Sequence, residues 1–100
     1  MSPEVSVVMA VYNGAGHLRQ GVEGILTQTC DDFEFIIIDD GSTDETSSIL
    51  DTYSDPRIVR LHNKYNLGLT QSLNIGLDTA RGEYIARQDC DDRSHPCRLA

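Results

Sequence analysis

Positive charge is scarce in this 100-residue sequence, in which Lys64 is the single lysine. Lys and Arg together number 8 against 16 Asp and Glu, for a net charge of −8. That balance excludes the basic footprint with which proteins grip nucleic acid. It also excludes the polybasic segments that bind anionic membrane surfaces. Long hydrophobic runs are missing too: no stretch approaches the ~20 apolar residues of a transmembrane helix. No basic-then-apolar leader opens the sequence. The expectation is a cytoplasmic protein, with any contact at the membrane's cytoplasmic face made by segments outside this sequence. Cysteine is sparse as well. Cys30, Cys90 and Cys97 are odd in number and fit no usual zinc spacing, even with His95 between the last two. Free thiols in a reducing compartment are expected, not a disulfide framework or a zinc site.

What is present suits one small α/β domain, or a piece of a larger one. Hydrophobic residues make up 39 % of the chain, enough to build a core. Val5–Val11 is a near-continuous apolar run, the pattern of a strand buried on both faces. Tyr12-Asn13-Gly14 breaks it. Residues His17 to Gln28 then carry helical periodicity, with Leu18, Val22, Ile25 and Leu26 on one face. A second buried strand runs from Phe33 to Ile38 and ends at Asp39-Asp40-Gly41-Ser42. Ser42 or Thr43 is placed to cap a helix whose first turn holds Asp44 and Glu45 and whose apolar side is Ile49, Leu50 and Tyr53. Ile58–Leu61 reads as a third strand. Leu69 to Ala80 reads as a helix with Leu69, Leu73, Gly76, Leu77 and Ala80 on one face, stopped by Gly82. Glu83 to Gln88 is a fourth strand, and Arg98-Leu99-Ala100 starts another helix.

The order βαβαβαβ predicts an α/β fold: a Rossmann-like, doubly wound parallel sheet with strand order 3-2-1-4. In such sheets ligands bind beyond the carboxyl ends of the strands, where the strand order reverses. Polar residues gather at three of those ends. Tyr12 and Asn13 follow strand 1, Asp39 and Asp40 follow strand 2, and Asp89-Cys90-Asp91-Asp92 follows strand 4.

Each group has a chemistry and a plainer alternative. Close carboxylates repel one another unless a cation joins them. Strand alternation puts Asp89 and Asp91 on one side and Cys90 on the other, so two hard oxygen donors can share a divalent metal that also binds a diphosphate. An acidic ligand would need such a bridge to a protein this acidic. The alternative is a solvated acidic loop. Asp40 can accept from a base N–H or a ribose hydroxyl, or simply cap the next helix. Tyr12 can stack on a nucleobase, or cover the sheet edge. Arg87 can pair with the acidic cluster or with phosphate. Asn66-Leu67-Gly68 can be a ligand-facing loop or a simple helix entry, the simpler reading being preferred, and His17 and His62 read as surface residues. Three rival frameworks lack essential residues. A dehalogenase-type phosphatase needs an Asp where Ile38 stands. A receiver domain needs an acidic pair after strand 1 and a late Lys. A dinucleotide-binding turn needs Gly-x-Gly-x-x-Gly where this chain has Asn13-Gly14-Ala15-Gly16.

Taken together, Val5–Asn13, Ile38–Asp44, Asn66–Leu69, Gly82–Arg87 and Asp89–Asp92 resemble the family-2 glycosyltransferases of the GT-A fold, over essentially the whole sequence. The resemblance implies an inverting transferase that uses a nucleotide-diphosphate sugar, most simply UDP-linked, and Mn²⁺ or Mg²⁺. It implies that Tyr12 packs on the base and that main-chain groups at Ala10 and Val11 contact it. Asp40 reads the base with Asp39 beside it, and Asp89 lies near the ribose. Asp91 ligates the metal, with Asp89 a candidate second ligand and Asp92 nearby. Ala10 and Cys90 depart from the commoner Pro and Ala. The expected catalytic base falls beyond Ala100. The chain is therefore expected to be the nucleotide-sugar-binding half of a truncated GT-A domain, inactive by itself, with a glycan or lipid-linked acceptor bound elsewhere. An open edge on strand 4 predicts homodimers. The alternative function is a non-catalytic nucleotide-binding module.

Overall fold

A computed structural model describes residues 3–27 and 32–87 of the chain. Four strands form one parallel sheet: β1 (Val5–Val11), β2 (Phe33–Asp39), β3 (Ile58–His62) and β4 (Tyr84–Arg87). Their order is β3-β2-β1-β4, so the strand order reverses between β1 and β4 as the sequence predicts. Three helices connect them: α1 (Ala15–Leu26), α2 (Thr46–Leu50) and α3 (Leu69–Thr79). Among the described residues no helix is long and apolar enough to cross a membrane. The predicted helix start at Arg98 lies outside the described residues, as does Gln28, the expected end of the first helix.

Strand alternation divides the core. Val5, Val7, Met9 and Val11 of β1, with Phe33, Phe35 and Ile37 of β2, pack beneath Leu18, Val22 and Ile25 of α1 and Leu50 of α2. The intervening residues Val8, Ile36 and Ile38 face the other side, where Leu73 and Ala80 cover them. Both central strands are thus buried on two faces, which is why they read as continuous apolar runs.

Several element boundaries differ from the sequence reading. The first helix begins at Ala15, because Gly14 is its cap and its carbonyl accepts the N–H groups of His17 and Leu18. β2 extends to Asp39 and β3 to His62, which pair in register. α2 is a short helix starting at Thr46; Ser42 and Thr43 lie before it, bonded to Asn13, while Asp44 Oδ1 accepts the Thr46 N–H at 2.9 Å and so takes the capping place expected of Ser42 or Thr43. In α3 the predicted apolar face is only partly buried: Leu69 and Leu77 are exposed, while Ser72 and Gly76 are buried. A Cβ on Gly76 would lie 2.5 Å from Val8 Cγ1 and 2.7 Å from Ile38 Cδ1, so this face of the helix presses directly on the sheet.

Opposite the strands' carboxyl ends, a buried carboxylate ties the layers together. Glu34 Oε2 accepts from Ser6 Oγ at 2.5 Å and from the Arg81 N–H at 2.6 Å, and Oε1 lies 3.2 Å from Arg81 Nε. Ser6 Oγ in turn accepts the Gly82 N–H at 2.7 Å. Burial pushes the Glu34 pKa up, but these hydrogen bonds and the Arg81 charge outweigh it and hold the group below its ordinary range. The cluster fixes where β4 begins, and β4 then runs parallel to β1 toward the polar edge of the sheet.

Candidate functional site

At the carboxyl edge of β1 and β2 an open cleft of about 370 Å³ is lined by Ala10, Val11, Tyr12, Asp40, Asn66, Gly68 and Leu69. Its size falls within the range of small-molecule sites. Four residues that the sequence singles out, Ala10, Val11, Tyr12 and Asp40, therefore meet in one place. Tyr12 is half exposed and Leu69 equally so, giving the cleft two accessible apolar surfaces. The main chain is less free than the side chains here, since the Val11 carbonyl already accepts the Asp40 N–H at 2.8 Å.

Asp40 is the charged centre of the cleft, although only 3 % exposed. Its Oδ1 accepts from Asn63 Nδ2 at 2.9 Å and from the Leu67 N–H at 2.8 Å; its Oδ2 accepts from the Gly68 N–H at 3.0 Å. Asn63 Nδ2 also donates to Ser72 Oγ at 2.9 Å. Burial raises the Asp40 pKa, but donors on Leu67, Asn63, Ser72 and Gly68 more than offset it and hold the carboxylate charged. Two of these donors are main-chain N–H groups at the entry to α3, where a helix favours negative charge. Asp40 does not cap α2, the helix that follows it; it draws the 63–68 loop over the sheet edge. That loop is also held by close approach. A Cβ on Gly41 would stand 2.5 Å from Tyr65 C and 2.7 Å from Asn66 N, and Gly41 has φ +71. Glycine is the residue this turn can accept.

The adjacent pair Asp39 and Asp40 separate in the fold. Asp39 still belongs to β2, and its side chain is fully buried. Its Oδ1 accepts the Ser42 N–H at 3.0 Å, and Oδ2 lies 3.5 Å from His62 Nδ1. Asp39 therefore anchors its own turn, while Asp40 lines the cleft. Asn66, Gly68 and Leu69 join the cleft although the preferred sequence reading of that segment is a simple helix entry. Only the long-range contact with Asp40 brings it there. Asp89 and Asp91, expected near the ribose and the metal, lie outside the described residues with Cys90 and Asp92. Among the described residues, no group of three or more His, Cys, Asp or Glu side chains is placed to hold a metal ion.

Comparison with known proteins identifies the family and the fold. The profile of the family described as Glycosyl transferase family 2 matches residues 6–100. An uncharacterized glycosyltransferase of Haemophilus influenzae is 46 % identical over 96 residues, covering 94 % of this chain and 30 % of the relative. The chain spans about a third of the length of the curated relatives it matches. Among solved structures, S. aureus TarS 1–349 in complex with UDP-GlcNAc superposes with a TM-score of 0.84 at 27 % identity, covering 93 % of this chain and 27 % of that one. The mannosyltransferase PcManGT from Pyrobaculum calidifontis, in complex with GDP-Man and Mn²⁺, superposes with a TM-score of 0.81 at 27 % identity, covering 91 % and 28 %.

Proposed function

This chain belongs to glycosyl transferase family 2, and we propose that it forms the nucleotide-sugar-binding half of an inverting, metal-dependent transferase whose donor is a UDP-sugar. The observation that carries the reading is the cleft at the switch point of the sheet, with the charged Asp40 in its wall. Tyr12 offers its ring to the base, and the edge at Ala10 and Val11 lies against it. UDP-GlcNAc in the TarS complex and GDP-Man in the PcManGT complex are donors of the expected chemical class.

The choice of uridine follows the resemblance to the family, and the S. aureus TarS complex with UDP-GlcNAc supports it. Uracil presents a single imide N–H, a donor that a charged carboxylate such as Asp40 can accept.

In the proposed reaction an acceptor hydroxyl, on a glycan or a lipid-linked sugar, attacks the anomeric carbon. The bond to the diphosphate breaks as the new glycosidic bond forms, so the centre inverts. Asp91, with Asp89 as a second candidate, supplies the hard oxygen donors that suit Mn²⁺ or Mg²⁺. When bound, that ion offsets the charge of the departing diphosphate. No residue of this chain is assigned as the base that takes the hydroxyl proton, and alone the chain binds donor without transferring sugar.

Calorimetric titration of UDP, with Mn²⁺ and then with a chelator, tests the reading beside the Asp91→Asn variant. Binding that needs both the metal and Asp91 is expected. Binding that ignores the metal would keep the base cleft and remove the acidic cluster from the site. Absence of UDP binding in the folded protein would overturn the assignment.

A further inference from the structure

Asn13 lies beside the cleft but is not part of its lining. It nevertheless joins the two turns that carry Tyr12 and Asp40. Its φ is +50, the sole positive value among the described non-glycine residues. Few side chains adopt that backbone, and asparagine is one of them. Asn13 Oδ1 accepts the Thr43 N–H at 2.7 Å, the Asp44 N–H at 3.3 Å and the Thr43 hydroxyl at 3.4 Å. The Asn13 N–H donates to Ser42 Oγ at 2.9 Å. The next residues extend the seam: Gly14 N–H reaches Thr46 Oγ1 at 3.1 Å, and Ala15 N–H reaches Asp44 Oδ2 at 3.3 Å. The turn after β1 is thereby sewn to the turn after β2.

We propose that Asn13 is a positioning residue for the donor, acting through Tyr12 without touching the ligand. The left-handed turn and the three bonds to its amide oxygen fix where Tyr12 leaves the sheet relative to Asp40. A ring held in place before the base arrives loses less freedom on binding, and that difference appears as affinity. A purely structural role would lower the melting temperature and leave the affinity of the folded protein unchanged. The inference rests on the reading of the cleft as a nucleotide site.

The test is a double-mutant cycle on UDP binding with Mn²⁺, measured by calorimetry well below each variant's melting temperature. Asn13→Gly keeps the turn's backbone conformation accessible and removes the acceptor. It is expected to weaken UDP binding about tenfold, the scale of one well-placed hydrogen bond. In the Tyr12→Ala background the same change is expected to shift affinity less than twofold. Ser42→Ala, which removes the acceptor of the Asn13 N–H, should show the same dependence on Tyr12 with a smaller loss and covers the case of an unfolded Asn13→Gly. Unchanged affinity in these variants, or losses that add fully to that of Tyr12→Ala, would overturn the role of Asn13 while leaving the cleft reading intact. A wild-type protein that binds no UDP would remove both.

Discussion

The Asp40 carboxylate and the Gly68 main-chain N–H meet at 3.0 Å, and that bond joins segments 28 residues apart in sequence. It makes Asp40 both a wall of the cleft and the anchor of the loop that closes it. Asp40→Ala would leave the donors of Asn63, Leu67 and Gly68 without their acceptor. Each buried donor left unpaired costs about 1–3 kcal/mol. In a chain of this size the melting temperature is expected to fall by roughly 10 °C or more. Thermal melting followed by circular dichroism measures this, and a shift of only a few degrees would show that the loop holds without Asp40.

Acid should find the same weakness. Asp40 and Glu34 both have pKa values lowered in the folded protein, against burial, by the hydrogen bonds they accept. A carboxylate lowered on folding contributes stability that is fully present above its unfolded pKa. That contribution is lost as pH falls through the folded value. Urea unfolding is therefore expected to give a steady midpoint from these groups at neutral and mildly acidic pH. The midpoint should then decline below the ordinary carboxylate range. Glu34→Gln should lower the midpoint at neutral pH and flatten the acid decline, because the group that titrates has gone.

Two glycines make a matched comparison. Gly41 combines a positive φ with a Cβ position 2.5 Å from the Tyr65 main chain, whereas a Cβ at Gly16 meets nothing within 4 Å. Gly41→Ala must displace the 63–68 loop and is expected to cost more than about 2 kcal/mol, with loss of nucleotide affinity. Gly16→Ala, in the first turn of α1, is expected to stabilise by about 0.5 kcal/mol through a stiffer unfolded chain. Equal effects at the two sites, measured by denaturant unfolding, would refute this account of the loop.

The sheet was legible because its two central strands are apolar on both faces and alternate with helices. Asp39 and Asp40 show what was harder to read. They look like a pair, yet Asp39 completes β2 on the face of Ile37, and only Asp40 reaches the cleft. Extending the strand by one residue would have separated them by parity alone. Asn66-Leu67-Gly68 reads locally either as a ligand-facing loop or as a helix entry, and the tertiary bonds from Leu67 and Gly68 to Asp40 are what place the segment at the cleft. Asn13 reads as a turn residue, and nothing in its neighbourhood announces that its amide serves Thr43 and Asp44. Leu69 and Leu77 have the right period for a core face, but the close packing of Gly76 and the buried Ser72 turn the helix away from them.

The β4 edge yields the last prediction. Among the described residues β4 pairs only with β1, and its Tyr84 and Ile85 are more than half and half exposed, at 59 % and 50 %. Beside them, Val8, Leu73, Leu77 and Ile85 line a groove of about 290 Å³ between α3 and the strand. An unpaired strand with an apolar face is a template for another chain. The 100-residue chain is therefore expected to self-associate as its concentration rises, which sedimentation velocity or light scattering will show. Ile85→Lys places a charge on that edge and should return the protein to monomer, with its circular dichroism spectrum unchanged. A wild-type chain that stays monomeric at high concentration would mean that the edge is protected by something other than a second copy.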